Sequence, residues 1–207
     1  MNPYNTPQEE FWAGSFGNDY TDRNAGTALL ASNTALFEKI LTLTGSITSV
    51  LELGANIGLN LRAIRNLQPQ VSLTAIEINK KAADELRRID RITVHTDSIL
   101  EFETDEQWDL VFTKGVLIHI SPEQLPRIYD LIHRCSRRYI CLMEYYNPKP
   151  VSVPYRGNQD RLFKRDFAGE VLDTYSDLSL VDYGFIYHRD PEAPQDDISW
   201  FLLEKPA

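Results

Sequence analysis

Cysteine is scarce in this sequence of 207 residues, and long apolar runs are absent from it. Cys135 and Cys141 have no neighbouring cysteine or histidine pair, so the sequence predicts neither a disulfide framework nor a metal site. The longest apolar runs, such as residues 139–143, are too short to cross a bilayer. The first residues lack the basic end and apolar segment of a signal peptide. We therefore expect a cytoplasmic protein.

Basic side chains are too few to balance the acidic ones. The chain has 21 Lys and Arg against 30 Asp and Glu, a net charge of −9, which repels a phosphate backbone. Nucleic acid is therefore a poor candidate partner. The 43% hydrophobic and 25% charged residues are ordinary for a soluble protein, and the length predicts a single domain with a real core.

Short apolar runs separated by helical patterns begin near residue 45 and predict an α/β fold. We interpret five runs as successive strands: 49–54, 71–79, 91–96, 108–115 and 139–146. Pro69 ends the first helix between them, and Ser121 with Gln124 forms a capping pair for a later one. Such strands make a doubly wound sheet, which binds ligands beyond the carboxyl ends of its strands.

The last third of the chain changes its pattern. Residues 147–159, NPKPVSVPYRGNQ, carry three prolines and a glycine, which predict an extended surface connection. A helix is expected around residues 165–175. The strand-like runs 178–188 and 198–205 follow without a long helix between them, which favours an antiparallel final pair.

Glycine is missing from two positions of the first strand-to-helix loop, LELGANIGLN (51–60). Aligned on Gly54, the dinucleotide fingerprint requires glycine where this chain has Asn56 and Leu59. Asparagine tolerates left-handed backbone angles, but its side chain would intrude where a pyrophosphate needs bare backbone. We therefore expect a cofactor without phosphate against the backbone of Gly54 and Gly58.

Acidic residues after the second and third strands fit the adenosine part of such a cofactor. Glu77 could accept hydrogen bonds from the two ribose hydroxyls, and Asp97 with the amide of Ser98 could bind adenine. Taken alone, Glu77 could equally cap the helix that begins near Asn79. Together with the glycine loop, the two positions describe S-adenosylmethionine.

The pattern Glu52-x-Gly54-x-Asn56-x-Gly58, with Glu77 and Asp97-Ser98, resembles class I S-adenosylmethionine-dependent methyltransferases over about residues 45–145. More narrowly, FWAGSFGNDYTDRN (11–24), LELGANIGLNL (51–61) and VPYRGNQDRLFKRDFAGE (153–170) are similar to the pseudaminic acid biosynthesis-associated methylases across nearly the whole chain. The resemblance implies an acidic sugar of the pseudaminic (nonulosonic) type, or its nucleotide-activated form, as the methyl acceptor.

The resemblance also implies the architecture. It predicts a Rossmann-like, seven-stranded, mostly parallel sheet with strand order 3-2-1-4-5-7-6, strand 7 antiparallel, and helices on both faces. Within the single domain 1–207, we expect an N-terminal helical cap or lid over 1–45 and the Rossmann-like core over 46–207. Tyr20, Arg23 and Asn24 would face inward from the lid.

The resemblance further implies where the cofactor binds. Glu52 would order the loop and the methionine end, and Lys114 with Gly115 would face the methionine part. The complete predicted cofactor-binding set is Tyr20, Arg23, Glu52, Gly54, Asn56, Gly58, Glu77, Ile78, Asp97, Ser98, Ile99, Lys114 and Gly115.

Candidates for catalysis and acceptor binding follow the fourth and fifth strands. His119 is the predicted general base, and methyltransferases that resemble this chain often carry a histidine there; Glu144 and Tyr146 could also deprotonate an acceptor. The predicted acceptor-binding residues are Tyr145, Asn147, Arg156, Arg161 and Lys164, of which the cations could receive a carboxylate or phosphate. For each of these, packing or a solvated surface is the alternative.

Two other functions share the predicted sheet. An NAD-dependent sugar-modifying enzyme would need the missing glycines and a catalytic Tyr-x-x-x-Lys pair, and the one match at a strand end, Tyr145 with Lys149, lies in the proline-rich stretch. A non-catalytic regulatory protein that binds the cofactor remains compatible with the sequence.

Overall fold

The computed structural model describes residues 4–23 and 27–206, and Asn24 lies outside these ranges. The strands are β1 (Ser49–Leu53), β2 (Ser72–Ile76), β3 (Ile92–His95), β4 (Trp108–Lys114), β5 (Ser136–Glu144), β6 (Val151–Tyr155), β7 (Asn158–Lys164), β8 (Ser179–Ile186) and β9 (Ile198–Glu204). The helices are α1 (Pro7–Ala13), α2 (Ser15–Arg23), α3 (Thr27–Leu43), α4 (Leu59–Leu67), α5 (Lys80–Leu86), α6 (Leu125–Cys135) and α7 (Phe167–Thr174). Two 3₁₀ helices, Leu117–His119 and Pro122–Gln124, connect β4 to α6.

Seven strands form one sheet in the order β3-β2-β1-β4-β5-β9-β8. Strands β1 to β5 pair in parallel, whereas β9 is antiparallel to both β5 and β8. Because β8 and β9 are the sixth and seventh strands of this sheet, the predicted order 3-2-1-4-5-7-6 is confirmed. None of the helices in the described ranges is long and apolar enough to span a membrane.

Apolar side chains pack on both faces of the sheet. Leu51 and Leu53 of β1 belong to the cluster that α6 and α7 cover, and Val50 belongs to the cluster on the opposite face, because successive strand side chains point to opposite faces. Helix α3 contributes to that second cluster, where the ring of Phe37 lies 5.1 Å from that of Phe112. The two apolar clusters, one on each face of the sheet, hold the strands in place.

The prediction of an extended connection over 147–159 is wrong. Strands β6 and β7 pair as an antiparallel hairpin whose two turn residues, Arg156 and Gly157, have φ of 47° and 81°. Two consecutive positive φ angles are typical of a type I′ turn, whose twist matches that of the strands. The register skips Pro154, which has no N–H to donate and is therefore tolerated in this exposed strand.

The predicted capping pair after β4 is also wrong. The hydroxyl of Ser121 hydrogen-bonds the carboxylate of Glu123, and the residues that follow form a 3₁₀ helix without a side-chain cap. Helix α6 therefore begins at Leu125. Strand β5 begins at Ser136, three residues before the predicted start at 139.

Candidate active site

A cavity of about 240 Å³ opens beyond the carboxyl ends of β1, β2 and β4, with α1 and α2 along its wall. Of the predicted site residues it is lined by Tyr20, Gly54, Asn56, Glu77, Ile78, Asp97, Ser98, Ile99, Lys114, Gly115 and His119. Polar or aromatic lining residues that the sequence analysis did not name include Gln8, Glu9, Trp12, Asn33, Asn60 and Asp196. The structure thus brings together residues that are up to 190 positions apart in the chain, from Thr6 to Asp196.

The glycine loop holds a carboxylate in this cavity. Gly54, Asn56 and Gly58 have φ of 70°, 48° and 78°, so the loop needs residues that tolerate left-handed angles. The backbone N–H of Asn56 donates to Oε2 of Glu77 at 2.6 Å, and that of Asn79 donates to Oε1 at 2.7 Å. Asn79 itself caps α5, by accepting from the Ala82 N–H. Burial raises the pKa of Glu77, against these two backbone donors.

Gly58 serves packing within the loop and does not line the cavity. A Cβ atom at this position would lie 2.5 Å from Cδ1 of Ile89 and 2.6 Å from Cδ2 of Leu86. The glycine therefore lets the loop approach the end of α5. Gly58 is therefore not on the cavity wall, where the prediction placed it under the cofactor.

Several buried acceptor atoms lie on the cavity wall or next to it. Glu52 is 1% exposed; its Oε1 accepts from Nδ2 of Asn60 at 2.6 Å, and burial raises its pKa to about 8. Oε2 of Glu52, Oδ1 of Asn60 and Oδ1 of Asn33 are buried and have no hydrogen-bond donor within the described part of the chain. Asn33 and Asn60 line the cavity, so N–H donors of a ligand there would satisfy their oxygens, whereas Glu52 does not line it.

Lys114 is the only Lys or Arg residue among the described residues that line the cavity. Burial lowers its pKa, against the attraction of the nearby carboxylates of Glu52, Asp196 and Glu144. Asp196 reaches the wall from the connection between β8 and β9. No carboxylate of the described residues lies within ion-pair distance of the Lys114 ammonium, so this cation is available to a bound anion.

The opposite end of the cavity joins the loop after β3 to α1. The hydroxyl of Ser98 donates to the carboxylate of Glu9 and accepts from the Leu100 N–H at 3.0 Å. Asp97 lines the cavity with an exposed side chain. The side chain of Ser98 therefore anchors α1, and a contact of its backbone amide with adenine stays a prediction.

His119 lies on the wall in a defined tautomer. Its Nδ1 is 2.5 Å from the carbonyl oxygen of Arg161 in β7. Because a carbonyl only accepts, Nδ1 carries the proton and Nε2 carries the lone pair in the neutral ring. Burial lowers the pKa of His119 to about 4, so the ring is neutral near pH 7. Trp12 and Tyr155 pack against it at centroid distances of 4.6 and 4.9 Å.

Glu144 lies next to this site without lining the cavity. Its Oε1 accepts from the Thr113 hydroxyl and from the backbone N–H groups of Val116 and Leu117, at 2.9 to 3.1 Å. Oε2 accepts from the N–H of Ile118 at 3.3 Å. The carboxylate therefore fixes the 3₁₀ helix that carries His119, and this geometry does not fit the predicted role of a base that touches the acceptor.

The remaining predicted residues lie outside the cavity wall. Tyr146 is 44% exposed and packs near Phe201, and the amide of Asn147 donates to the Lys149 carbonyl at 2.6 Å. Cations of four residues lie over aromatic rings: Arg23 over Phe16 and Tyr20, Arg156 over Tyr155, Arg161 over Phe11, and Lys164 over Tyr145. The predicted basic cluster thus surrounds the hairpin and does not enter the cavity.

Residues 50–138 match the family described as methyltransferase domain. A comparison with curated protein sequences gives no match. Among solved structures, the chain is similar to the 1,6-didemethyltoxoflavin-N1-methyltransferase of Burkholderia thailandensis with bound 1,6-didemethyltoxoflavin and S-adenosylhomocysteine, at a TM-score of 0.70 and 15% identity, over 100% of this chain and 93% of that one.

Two further structures share this fold. The magnesium protoporphyrin IX methyltransferase from Synechocystis PCC 6803 with bound S-adenosylhomocysteine has a TM-score of 0.66 and 16% identity, over 96% of this chain and 97% of that one. The N-methyltransferase NodS from Bradyrhizobium japonicum WM9 has a TM-score of 0.62 and 16% identity, over 85% and 97%. Residues 50–138 thus match a methyltransferase domain, and the whole chain has the Rossmann-like fold of these structures, as the sequence predicts.

Proposed function

We propose that the protein transfers a methyl group from S-adenosylmethionine to a small acceptor in the cavity beside α1 and α2. The observation that carries this proposal is Glu77, which two backbone N–H groups of the loop and of α5 hold against the cavity. Two of the similar structures were solved with S-adenosylhomocysteine bound. The methyl donor supplies an electrophilic carbon on a positively charged sulfur.

The residues present fit this donor at both of its ends. Glu77 has free lone pairs for ribose hydroxyls, and Asp97 can accept from the amino group of adenine. At the other end, the methionine ammonium offers donors to the unpaired oxygens of Asn60 and Asn33 on the cavity wall, with the carboxyl of Glu52 bonded to Asn60. Each such buried acceptor costs about 1–3 kcal/mol when it is left unsatisfied. Lys114 then pairs with the methionine carboxylate.

NAD fits the same wall poorly. Its pyrophosphate would bring two negative charges beside a wall that already carries Glu77, Asp97 and Asp196. Lys114 is the only Lys or Arg residue on the described part of the wall that could balance these charges. The predicted alternative of an NAD-dependent enzyme therefore has less support from the charge of the site than the methyltransferase.

The protein's own groups would align the acceptor and exclude water. His119 offers Nε2 to a proton of the acceptor, and Glu144 holds the 3₁₀ helix that positions this histidine. Helices α1 and α2 act as the lid predicted within residues 1–45. Gln8 links α1 to the carbonyl of Asp160 in the hairpin at 3.2 Å, and Glu9 links it to the hydroxyl of Ser98.

An acidic sugar, or its nucleotide-activated form, is a second candidate for the methyl acceptor. Its support is the resemblance to pseudaminic acid-associated methylases and the cations Arg156, Arg161 and Lys164 on the hairpin. These cations would meet an acceptor that extends out of the cavity along β6 and β7.

Methyl transfer into a deproteinised pool of cellular small molecules tests the proposed function. The purified chain is incubated with S-adenosylmethionine carrying an isotopic label in its methyl group, and mass spectrometry identifies labelled products. We expect at least one labelled small molecule, which is lost with the Glu77→Ala variant. A protein that binds the donor but yields no labelled product would instead support the regulatory, non-catalytic alternative.

A further inference from the structure

Asn79 lies between the donor site and the lid formed by α1 and α2, and it is hydrogen-bonded to both. We propose that Asn79 is a positioning residue through which donor binding and closure of the lid over the cavity strengthen each other. This inference rests on the proposed function, because it requires the ribose of the donor on Glu77. It adds to that function the residue that connects the donor site to the lid.

On the donor side, Asn79 acts through its backbone. Its N–H donates to Oε1 of Glu77 at 2.7 Å, and the N–H of Asn56 donates to Oε2 at 2.6 Å. Glu77 lines the cavity, so ribose hydroxyls would donate to the same carboxylate from the cavity side. A bound donor therefore restrains the carboxylate, and with it the backbone of Asn79.

On the lid side, Asn79 acts through its side-chain amide. Nδ2 donates to the carbonyl oxygen of Trp12 in α1 at 3.1 Å and to Oδ1 of Asn18 in α2 at 3.0 Å. Oδ1 of Asn79 accepts from the Ala82 N–H at 3.0 Å, and this contact fixes the orientation of the amide, because a backbone N–H only donates. Asn79 is 3% exposed, so these hydrogen bonds are shielded from water.

Gly17 of α2 allows the lid to approach Asn79 this closely. A Cβ atom at position 17 would lie 1.8 Å from the carbonyl oxygen of Trp12 and 2.8 Å from Nδ2 of Asn79. These two atoms form the hydrogen bond between Asn79 and α1. The same short approach therefore packs the two lid helices on each other and on the start of α5.

Closure of the lid also completes the wall beside the candidate base. Trp12 and Tyr20 line the cavity from the lid, and the ring centroid of Trp12 lies 4.6 Å from that of His119. Coupling between two binding equilibria is reciprocal, so a donor that favours the closed lid is itself bound more tightly when the lid is closed. Loss of the two amide bonds of Asn79 should therefore weaken donor binding, although both amide hydrogens are donated to lid atoms.

A purely structural role for Asn79, as the N-cap of α5, is the alternative. Ser and Asp are about as good as Asn at this position of a helix. Asn79→Ser and Asn79→Asp both keep an oxygen for the Ala82 N–H, and both keep the backbone N–H that bonds Glu77. They remove the two bonds to the lid, and Asp also places a second oxygen against the acceptor atoms of Trp12 and Asn18. A residue that only caps α5 would tolerate either variant.

Hydrogen exchange of the α1 and α2 amides, followed by mass spectrometry with and without S-adenosylhomocysteine, measures closure of the lid. Calorimetry on the same full-length proteins gives the Kd of S-adenosylhomocysteine. In the unmodified chain, we expect saturating S-adenosylhomocysteine to slow the exchange by about tenfold or more. In Asn79→Ser this slowing should be largely lost, and the Kd should rise about fivefold or more, the effect of one to two hydrogen bonds. Asn79→Asp should have the larger effect on both.

Lys81→Ala is the matched control, because it removes another polar contact between α5 and α2, the exposed ion pair of Lys81 with Asp22. Such a pair contributes little, so the slowing of exchange and the Kd should both stay within about twofold. Unchanged slowing and Kd in both Asn79 variants, or an unmodified chain that binds S-adenosylhomocysteine without slower exchange in α1 and α2, would overturn the inference. No binding of S-adenosylhomocysteine by the unmodified chain would instead contradict the proposed function.

Discussion

At the scale of single residues, contacts decide which nitrogen of His119 is available. The carbonyl of Arg161 fixes the proton on Nδ1, and burial keeps the ring neutral. The residue type and its place after β4 could be predicted from the sequence. Its tautomer could not, because the carbonyl that sets it lies 42 positions further along the chain.

His119→Asn separates the two nitrogens. An asparagine amide can still donate to the Arg161 carbonyl, in place of Nδ1, but it has no atom in the place of Nε2. We expect the variant to fold with a nearly unchanged Tm and to lose roughly 100-fold in kcat, the lower part of the range for a general base. The unmodified enzyme should show no kinetic pKa near 6.5 from His119, because this ring titrates near 4. Full activity of His119→Asn would exclude the histidine from the reaction.

Asn56 is a second residue whose backbone matters more than its side chain. Its φ of 48° is a left-handed angle, which asparagine tolerates, as predicted from the sequence. Its backbone N–H, and not its side-chain amide, donates to Glu77. The variant Asn56→Gly keeps both features. We expect its Kd for S-adenosylhomocysteine, measured by calorimetry, to stay within about threefold of the unmodified value. A gain of NAD binding by this variant would count against a loop selective for a phosphate-free cofactor.

At the scale of elements, strands β1 to β5 and the final antiparallel pair could be predicted because burial leaves a local apolar pattern. The hairpin could not be recognised by the same pattern, because its strands are largely exposed and its prolines are typical of loops. The adjacent Arg156 and Gly157 were the available signal for a tight turn. Nothing local indicates that α1 contacts Ser98, 89 positions away, or that the β8–β9 connection brings Asp196 into the cavity.

The loop between β1 and α4 depends on Gly58 for its packing on α5. Gly58→Ala combines a left-handed angle, which costs about 1–2 kcal/mol, with an overpacked contact against Leu86 and Ile89, which costs about 1–3 kcal/mol. Gly157→Ala is the matched control, since its φ is 81° and a Cβ there meets no atom within 4 Å. In urea unfolding, we expect Gly58→Ala to lose more stability than Gly157→Ala by the overpacking contribution. Equal losses would show that the contact with α5 is unimportant.

At the scale of the whole molecule, two buried carboxyl groups at the site lower the free energy of unfolding as pH rises. The folded pKa values of Glu52, about 8, and Glu144, about 7, lie above that of an exposed glutamate. The stability that these protonated groups contribute is therefore fully present below the unfolded pKa and is lost as pH rises through the folded values. His119 acts in the opposite direction, because its contribution is lost as pH falls through about 4.

Glu52→Gln isolates the largest of these effects. Glutamine keeps an oxygen for Asn60 and cannot ionise, so the free energy of unfolding of the ligand-free variant should decline less between about pH 5 and about pH 9 than that of the unmodified chain. We expect the variant to be the more stable protein at the higher pH by at least ~1 kcal/mol. The exposed control Glu106→Gln should follow the unmodified chain. A parallel decline in both variants would exclude burial of an ionising Glu52 as the cause.

Calorimetric titration of the purified chain with S-adenosylhomocysteine tests directly whether the cavity binds the methyl donor, because the titration needs no acceptor. We expect one site per chain with a Kd of the order of 1–100 μM, and at least tenfold weaker binding by Glu77→Ala, which loses charge-assisted hydrogen bonds to the ribose. NAD should not bind. No heat with S-adenosylhomocysteine, or equal affinity of the unmodified chain and Glu77→Ala, would contradict a donor site built around Glu77.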